Sequence, residues 1–404
     1  MKPKSQALIE EATATALKVL LNNAKGPHKG LPRTAAWGYP EPYTRDLMIS
    51  ALGMLVSDEP KLVDALRRTL EALARNQTQH GHIPSFAHDP EDRGASDTTP
   101  LFLFGLGLYR KHTGEDAFLT EAAEKALTWM VYQSPEDRLM VAQQPTSDWR
   151  DEQWVPGFSL YVNAVAHAYL QLHGHAGEAD VLRSMMNRFT VLSHPHQHHV
   201  HGNLVIRRKP YYALWAYKHY VNERFDLLGN SLAILTGLAS RSRARKIIAW
   251  VEGECVAMRG SGDMVGELPP NLFPFVRRTD PDWKARYDRH NRLGDYHNGG
   301  VWPFICGFYV AAMVAAGFHR VAHRKLMNLT ELVARSRRTE RAFGFNEWIK
   351  AQDGRPSGND WQTWSAAMYL YAVECVERQC TPFFDEMRRR AWKGTAMEEG
   401  KDEA

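Results

Sequence analysis

The chain has 404 residues, of which 44% are hydrophobic and 24% are charged, as in an ordinary folded protein. This length exceeds the usual limit for one domain unless the fold is a large closed barrel. The net charge is only +4, and the 50 basic and 46 acidic residues are interspersed, so the sequence lacks the basic stripe expected of a nucleic-acid-binding protein.

Helical periodicity runs through the sequence in two alternating kinds. Six segments combine a polar and an apolar face, which is typical of helices with one side in water; they are 4–24, 60–76, 117–133, 176–191, 240–256 and 319–336. Six shorter segments between them are more apolar; they are 47–56, 100–111, 158–172, 227–238, 301–317 and 361–377. No run of alternating polar and apolar residues convincingly indicates a β-strand.

This alternation predicts an all-α protein with an (α/α)6 toroidal barrel, in which an outer ring of helices surrounds an inner ring. Neither ring can bury its apolar surface without the other, so we expect residues 1–385 to form a single domain. Residues 386–404 are rich in charge, and we expect them to form a flexible C-terminal tail.

One apolar run, Val301–Phe318, has the length of a membrane span. It contains Pro303 and two glycines, and a helix buried on all sides inside a barrel has the same composition. We favour the buried interpretation and predict no membrane partner. The N-terminal segment carries Glu10 and Glu11 where a signal peptide needs an apolar core, so secretion is not expected.

The four cysteines are Cys255, Cys306, Cys375 and Cys380, and they include no CxxC pair. Cys375 and Cys380 are close in sequence, but five residues apart on a helix they face different directions. We therefore expect free thiols, which suit a reducing compartment and a cytoplasmic location.

Polar side chains stand before every apolar helix. If the inner helices run parallel, their N-termini open at one end of the barrel, and these side chains converge on one mouth. In chain order they are Asp46, Asp97, Asp148, Asp151, Asp226, His297, Asn298, Glu347 and Gln362. Aspartate also caps helix N-termini, so for any single aspartate a capping role and a functional role explain its position equally well. Six occurrences in phase favour a site.

Aromatic residues crowd the same segments. They are Trp37, Tyr39, Tyr43, Trp149, Trp154, Phe158, Tyr296, Trp302, Trp348, Trp361 and Trp364. Each alone is more simply a core residue, but aromatic faces beside carboxylates are typical of a sugar-binding site. An inverting glycosidase needs two carboxyl groups about 6.5–9.5 Å apart, with room for the attacking water. The candidates are Asp46, Asp97, Asp148, Asp151, Glu152 and Glu347, and spacing alone does not choose among them.

A series of motifs in family order resembles the alkaline/neutral invertase family and, more distantly, trehalase, glucoamylase and glucosidase-I-like hydrolases. The most specific is YHNGGVWP at 296–303. The others are YTRD at 43–46, GHIPSFAHDP at 81–90, SDTTPLF at 96–102, RFDLLGNSLAIL at 224–235, NEW at 346–348 and DWQTWSAA at 360–367. The resemblance extends from about Tyr39 to Tyr371, which is most of the chain.

The resemblance implies an inverting glycoside hydrolase that cleaves a small carbohydrate, with sucrose as the first substrate to test. It places the general acid on Asp151, with Asp148 as a rival, and the general base on Glu347. It makes Asp46, together with Arg45, a sugar-binding residue, and Asp97 a ligand-binding carboxylate. The other substrate-binding positions that it implies are Tyr43, Trp149, Phe225, His297, Asn298, Trp302, Gln362 and Trp364. Relatives of this kind often assemble, so a homo-oligomer is left open.

The sequence departs from the invertase pattern around both proposed catalytic residues. Arg-Asp-Glu-Gln stands where the family has Asp-Arg-Arg, and Phe345, Asn346 and Trp348 flank Glu347 where the family has a Pro and a Tyr pair. The reaction type is therefore better supported than sucrose.

Three alternatives remain at this point. An α-glucosidase of the trehalase or glucosidase-I type is favoured by SDTTPLF. A sugar 2-epimerase on the same barrel would need histidines as acid and base, and His297 alone sits in a suitable motif. A non-catalytic sugar-binding protein would have no use for two catalytic acids inside the cleft.

No cofactor or metal is predicted. The histidine-rich stretch 194–201 lies between helices and away from other ligands, and we interpret it as a solvated loop. The sequence has no phosphate loop, no GxGxxG motif and no zinc-spaced cysteine set.

Overall fold

A computed structural model describes residues 3–134, 139–187, 204–206, 209–217, 220–338 and 341–399. The helices within these ranges are α1 (Pro3–Asn23), α2 (Thr44–Val56), α3 (Pro60–Arg75), α4 (Thr98–Thr113), α5 (Thr120–Val131), α6 (Leu160–Leu172), α7 (Ala176–Asn187), α8 (Leu227–Leu235), α9 (Arg241–Ser261), α10 (Tyr287–His290), α11 (Pro303–Ala315), α12 (His319–Val333), α13 (Thr363–Arg378) and α14 (Phe384–Glu399). The strands are β1 (Phe158–Ser159), β2 (Ala213–Tyr217), β3 (Tyr220–Asp226), β4 (Leu272–Phe273), β5 (Trp348–Ile349) and β6 (Pro356–Ser357).

Six apolar helices form the centre of the molecule. They pack on one another in the closed order α2, α4, α6, α8, α11, α13 and back to α2. Their sequences explain the position: in α11, for example, every residue from Pro303 to Val314 is buried, as expected for a helix that is apolar all round.

The six predicted polar-faced helices lie outside this ring. Helix α3 packs on α2 and α4, α5 on α4, α7 on α6, α9 on α8, α12 on α11 and α13, and α1 on α13, α12 and α3. Each buries one stripe of side chains; in α3 this stripe includes Leu62, Leu66, Leu70 and Leu73. The helix-rich prediction is confirmed, and the packing order is consistent with the predicted barrel.

The expectation that the chain has no strands is wrong. A four-stranded antiparallel sheet has the order β1-β2-β3-β4, with Phe158 opposite Ala216 and Phe225 opposite Phe273. In strand β2, with the sequence ALWAY, buried and exposed residues do not alternate cleanly, because the neighbours Ala213 and Leu214 are both buried. The period of two that identifies a strand is therefore hidden in its sequence. The sheet leads the chain directly into α6 and α8.

A second, two-stranded sheet carries the end of the predicted site. Strands β5 and β6 pair with Trp348 opposite Ser357, and β5 begins immediately after Glu347. A further bridge joins Ile349 to Val301, just before α11. Glu347 is thereby tied to the N-terminal end of an inner helix.

The apolar run Val301–Phe318 contains helix α11, which lies in the inner ring. In the described part of the chain, no helix is both long and apolar enough to cross a membrane. The predicted boundary at residue 385 falls inside helix α14, and Met387, Arg388 and Ala391 are buried, so this stretch is not the flexible tail that was expected. All four cysteines are free thiols.

Candidate active site

Contacts among the N-terminal ends of the inner helices run around the ring. Arg45 at the start of α2 reaches Asp97 before α4. Arg150, before α6, reaches Asp226 before α8. Two aromatic contacts extend these links: Trp149 packs on Trp302 before α11, and Trp302 packs on Trp364 at the start of α13. Residues far apart in sequence thus meet at one mouth, as the sequence pattern predicts.

Asp97 is fully buried and neutralised by Arg45. The Nε of Arg45 donates to Oδ2 at 2.7 Å and Nη2 donates to Oδ1 at 3.0 Å, a bidentate geometry that strengthens such pairs. Although Asp97 is the N-cap residue of α4, its side chain makes no capping bond. The hydroxyl of Tyr161 also donates to it, at 3.3 Å. Arg45 therefore pairs with Asp97 and not with its neighbour Asp46.

A second buried cluster holds Asp148. Arg150 donates to both oxygens of Asp148, from Nη2 at 2.6 Å and from Nε at 3.2 Å, and from Nη1 to Asp226 at 3.1 Å. The Gln143 amide adds a bond to Asp148 at 3.0 Å. Despite burial, these partners lower the pKa of Asp148 below its usual value. Asp148 is thus ionised and fully engaged by the protein. We call Asp97, Asp148 and Asp226 the paired acids.

Three other carboxyl groups of the mouth have no Arg or Lys within 4 Å among the described residues; they are Asp46, Asp151 and Glu347. We call them the unpaired acids. The side chain of Asp151 is 59% exposed and its Oδ1 lies 3.9 Å from Nε2 of His297. Desolvation within the mouth raises the pKa of Asp151, and Arg45 opposes this rise.

Glu347 is only 6% exposed. The backbone N–H of Asn359 donates to its Oε2 at 3.0 Å, which fixes the carboxylate. Gly358 has a φ of +70°, and a Cβ there would clash with the same oxygen, so the loop can approach only with glycine. Burial and the charge of Asp151 raise the pKa of Glu347 to about 7, against the Asn359 bond.

Asp46 is also buried and raised in pKa. Burial moves its pKa to about 8, with Arg45 opposing and the charges of Glu347 and Asp151 adding to the rise. The three unpaired acids therefore lie close enough to influence one another's ionisation, which brings together residues from opposite ends of the sequence.

The predicted tryptophans form a buried floor. Trp149, Trp302 and Trp364 are 5% exposed or less, and Phe304 stacks on Trp364 with ring centroids 4.1 Å apart. They support the mouth from below. The aromatic side chains that line its open part are instead Tyr39, Tyr296 and Trp348, around a cleft of about 530 Å³ that also contains Glu347 and Glu152. We call this space the Glu347 cleft.

Several predicted binding residues are occupied by the protein itself. Asn298 accepts from the N–H of Val276 at 2.7 Å and donates to the carbonyls of Val276 and Asn291. Phe225 packs among Tyr211, Trp250 and Phe273, away from the carboxylates. The structure does not bring either side chain to the unpaired acids.

The remaining predicted residues do belong to the mouth. Tyr43 and Tyr39 contact edge to face at 6.3 Å, and burial raises the pKa of Tyr43 to about 12, with Asp46 and Asp151 adding to the rise. The Gln362 amide interacts with Glu347. His297 stacks on Tyr296 at 3.9 Å, and burial lowers its pKa well below the usual value, so its ring is neutral.

The mouth contains several residues with positive φ and several buried polar atoms without a hydrogen-bond partner. Tyr296, Phe345 and Trp361 have φ values of 44°, 42° and 55°, which is uncommon for bulky residues and typical of functional loops. Buried polar atoms without a hydrogen-bond partner include Nε1 of Trp149, Nε1 of Trp364, Oε1 of Gln362 and both ring nitrogens of His297.

Sequence reasoning missed the roles of Arg150 and Gly358; it included Tyr39 and Tyr296 among the aromatic residues of the expected sugar site but not among the substrate-binding positions. Arg150 lies inside the DWRDEQW motif, but nothing in that spacing shows that it bridges two carboxylates. Among the described residues, no group of three or more His, Cys, Asp or Glu could hold a metal ion. The histidine-rich stretch 194–201 lies outside the described residues.

Two comparisons with solved structures concern the fold. A mannosylglycerate hydrolase from Thermus thermophilus, solved with glucose, superposes with a TM-score of 0.61 at 16% identity, covering 88% of this chain and 98% of that one. A solved glycosidase gives a TM-score of 0.63 at 14% identity, with 93% and 99% covered. At such identities the likeness concerns the fold alone.

The sequence comparisons concern the family. Cytosolic invertase 1 of Oryza sativa subsp. japonica is 30% identical over 158 residues, or 38% of this chain and 26% of that protein. Probable alkaline/neutral invertase F of Arabidopsis thaliana is 31% identical over 153 residues, or 37% and 28%. The chain thus aligns with about a quarter of the length of these relatives. The family model for alkaline and neutral invertase matches residues 178–379, which is half of the chain. The chain belongs to the alkaline and neutral invertase family.

Proposed function

We propose that the protein is an inverting glycoside hydrolase on an (α/α)6 toroidal barrel, and that it cleaves a small sugar with Asp151 and Glu347. The observation that carries the proposal is the group of unpaired acids. Asp151 and Glu347 come from distant parts of the chain, share one mouth and interact electrostatically, whereas the neighbouring acids are held by arginines. Family membership supports the same reaction class.

Asp151 is the proposed general acid. It must hold a proton and reach the glycosidic oxygen, and its raised pKa and exposure suit that task. Closing the site around a substrate removes more water and raises the pKa of the carboxyl further. Asp148, its rival in the sequence, is ionised and buried against Arg150, so it has no proton to donate.

Glu347 is the proposed general base. Its carboxylate is oriented by Asn359, and with a pKa of about 7 it is about half ionised at pH 7 and becomes fully ionised in alkaline solution. It would take a proton from the water that attacks the anomeric carbon from the face opposite Asp151. Asp46, with a pKa of about 8, keeps a proton near neutrality and would donate it in a hydrogen bond to a sugar hydroxyl.

Sucrose is the first substrate to test because of the family, and a glucosyl disaccharide or glucoside is the alternative. The epimerase alternative is disfavoured because His297 is neutral, buried and without a hydrogen-bond partner, and so does not serve as a ready acid. A cytoplasmic location is part of the proposal, since one relative is named a cytosolic invertase.

The test is a panel of sucrose, trehalose, kojibiose, isomaltose and glucosylglycerate, scored for monosaccharide release. Asp151→Asn and Glu347→Gln should each reduce kcat by about 10²- to 10⁴-fold and leave the fold intact. Glu121→Gln, on the exposed face of outer helix α5, is the matched control and should keep full activity. Full activity in Asp151→Asn or Glu347→Gln would remove that residue from the mechanism. Isomerised but uncleaved sugar, or no turnover of any sugar, would contradict the proposed reaction.

A further inference from the structure

The Glu347 cleft is lined by three cationic side chains that the proposed reaction does not use. Arg289, Arg292 and Lys350 line it, beside the acids Glu152, Asp295 and Glu347. A neutral disaccharide needs hydrogen-bonding groups and aromatic faces, but it gives no reason to assemble positive charge. The partners of these charged groups therefore show which of them are available to a ligand.

Two of the acids are already neutralised. Glu152 accepts from Nε of Arg286 at 2.9 Å, and Asp295 lies 3.3 Å from Nζ of Lys350. Among the described residues, no carboxylate lies within ion-pairing distance of Arg289 or Arg292. The side chain of Arg292 donates from Nε to the carbonyl of Asp288 at 3.2 Å, which leaves its charge without a counter-ion. Two guanidinium groups thus remain available at the edge of the cleft.

The loop that carries them is held in place by buried contacts. Tyr287 is 1% exposed, and its hydroxyl accepts the backbone N–H of Trp154 at 2.8 Å. Asn291, equally buried, donates to the carbonyl of Glu152 at 3.0 Å and accepts the N–H of His297 at 3.0 Å. The loop is therefore fastened to the residues that follow Asp151, which reduces the ordering that a ligand must impose.

The geometry points to a substrate whose leaving group carries a small oxyanion, a carboxylate or a phosphate, bound by Arg289 and Arg292 at the edge of the Glu347 cleft. Arginine presents a planar fork of donors that matches both anions. Glu152 lines the cleft and follows Asp151 directly in the chain, so the inference places the leaving-group side of the site here, beside the proposed acid. The inference rests on the proposed hydrolase function.

The first experiment compares substrates that differ only in charge. Glucosylglycerate is paired with glucosylglycerol, and sucrose phosphorylated on its fructose unit is paired with sucrose. We expect kcat/KM to favour the charged member of one pair by at least tenfold. Preference within the first pair identifies a carboxylate, and preference within the second identifies a phosphate. Equal kcat/KM values within both pairs would overturn the inference while leaving the hydrolase function standing.

Variants then assign the preference to the two arginines. Arg289→Gln and Arg292→Gln should each reduce the preference for the charged substrate, measured as the ratio of its kcat/KM to that of the neutral partner, by about tenfold, mainly through the KM of the charged substrate. Arg277→Gln is the matched control, because Arg277 is exposed on the same connecting segment and is not among the residues that line the cleft. A preference that survives both substitutions would contradict the assignment.

A binding measurement keeps the inference separate from turnover. Calorimetric titration of the wild-type protein with glycerate and with inorganic phosphate should show binding of at least one, weakened in Arg289→Gln, and none of glycerol. Such binding without hydrolysis of any substrate would support the anion site and count against the proposed hydrolase. Absence of binding to both anions would overturn the anion site.

Discussion

The paired and unpaired acids occupy the same mouth but differ in what surrounds them. Asp97, Asp148 and Asp226 are buried and held by Arg45 or Arg150. Asp46, Asp151 and Glu347 have no such cation. Burial without a nearby cation disfavours the charged form of a carboxyl group, and it raises the pKa of Asp46 to about 8 and that of Glu347 to about 7. The comparison separates carboxylates that build the mouth from carboxylates that are free to exchange protons.

The largest loss of stability is expected from replacing Arg150, which holds two of the paired acids. Arg150→Met leaves Asp148 and Asp226 buried without their cation, and removing one partner of such a cluster typically costs about 3–5 kcal/mol. Denaturant titration should show this loss of stability. Adding Asp148→Asn and Asp226→Asn to Arg150→Met should restore much of it, and unchanged stability in the single variant would show that the cluster is not structural.

A smaller effect is expected from displacing one unpaired acid without removing it. In Gly358→Ala the new Cβ clashes with Oε2 of Glu347, so we expect kcat to fall by about tenfold or more, as misplaced catalytic groups do. Gly114→Ala is the matched control, since Gly114 has a φ of +76° and open space around it. It imposes similar backbone strain and should leave kcat unchanged. Equal kcat losses in the two variants would assign the effect to strain and not to Glu347.

The smallest expected effect is a change in the pH dependence of stability when Asp46 is replaced. Burial raises the pKa of Asp46 from 3.8 to about 8, so between these values the unfolded chain releases a proton that the folded protein retains. Stability from this group is therefore full below about pH 4 and is lost as the pH rises to about 8. Asp46→Asn should be more stable than the wild type at pH 8 and similar to it at pH 4.

The control for this pH effect is Asp148→Asn. The pKa of Asp148 is lowered, so its ionisation favours folding and its loss should destabilise the protein at pH 8. Denaturant titrations across this pH range measure both variants. A wild type that is more stable than Asp46→Asn at pH 8 would contradict the assignment of Asp46 to the unpaired acids.

The sequence was sufficient to predict the twelve helices of the inner and outer rings and the convergence of polar residues, but not helices α10 and α14. The apolar stripe along one face of α3 and the apolar residues on all faces of α11 can each be recognised within a single segment of sequence. Polar residues before apolar helices predict a common mouth because ring geometry places helix N-termini together. These signals are local, so they can be recognised without knowing which helices pack against the segment.

The partners across the mouth could not be predicted in the same way. Arg45 is adjacent to Asp46 in sequence but pairs with Asp97, because adjacent helical residues point in different directions. Likewise Asp148 and Asp151 are three positions apart, and only the location of Arg150 distinguishes the structural acid from the proposed catalytic one.

Phe225 shows the limit of the resemblance. Its place in the predicted site came from its position in the motif RFDLLGNSLAIL, and the motif carries no information on which way the ring points. The ring packs against Tyr211, Trp250 and Phe273, which come from three separate parts of the chain. Such tertiary packing is not encoded in one segment.

The most direct test of the central claim is the configuration of the first sugar released. Proton NMR during early turnover of the best substrate from the panel distinguishes the anomer formed at the bond from the one produced later by mutarotation. Attack by a water activated by Glu347, opposite Asp151, predicts that the nascent sugar has the inverted anomeric configuration. A nascent sugar with retained configuration would contradict the role of Glu347 as a base and with it the account given for the two unpaired acids.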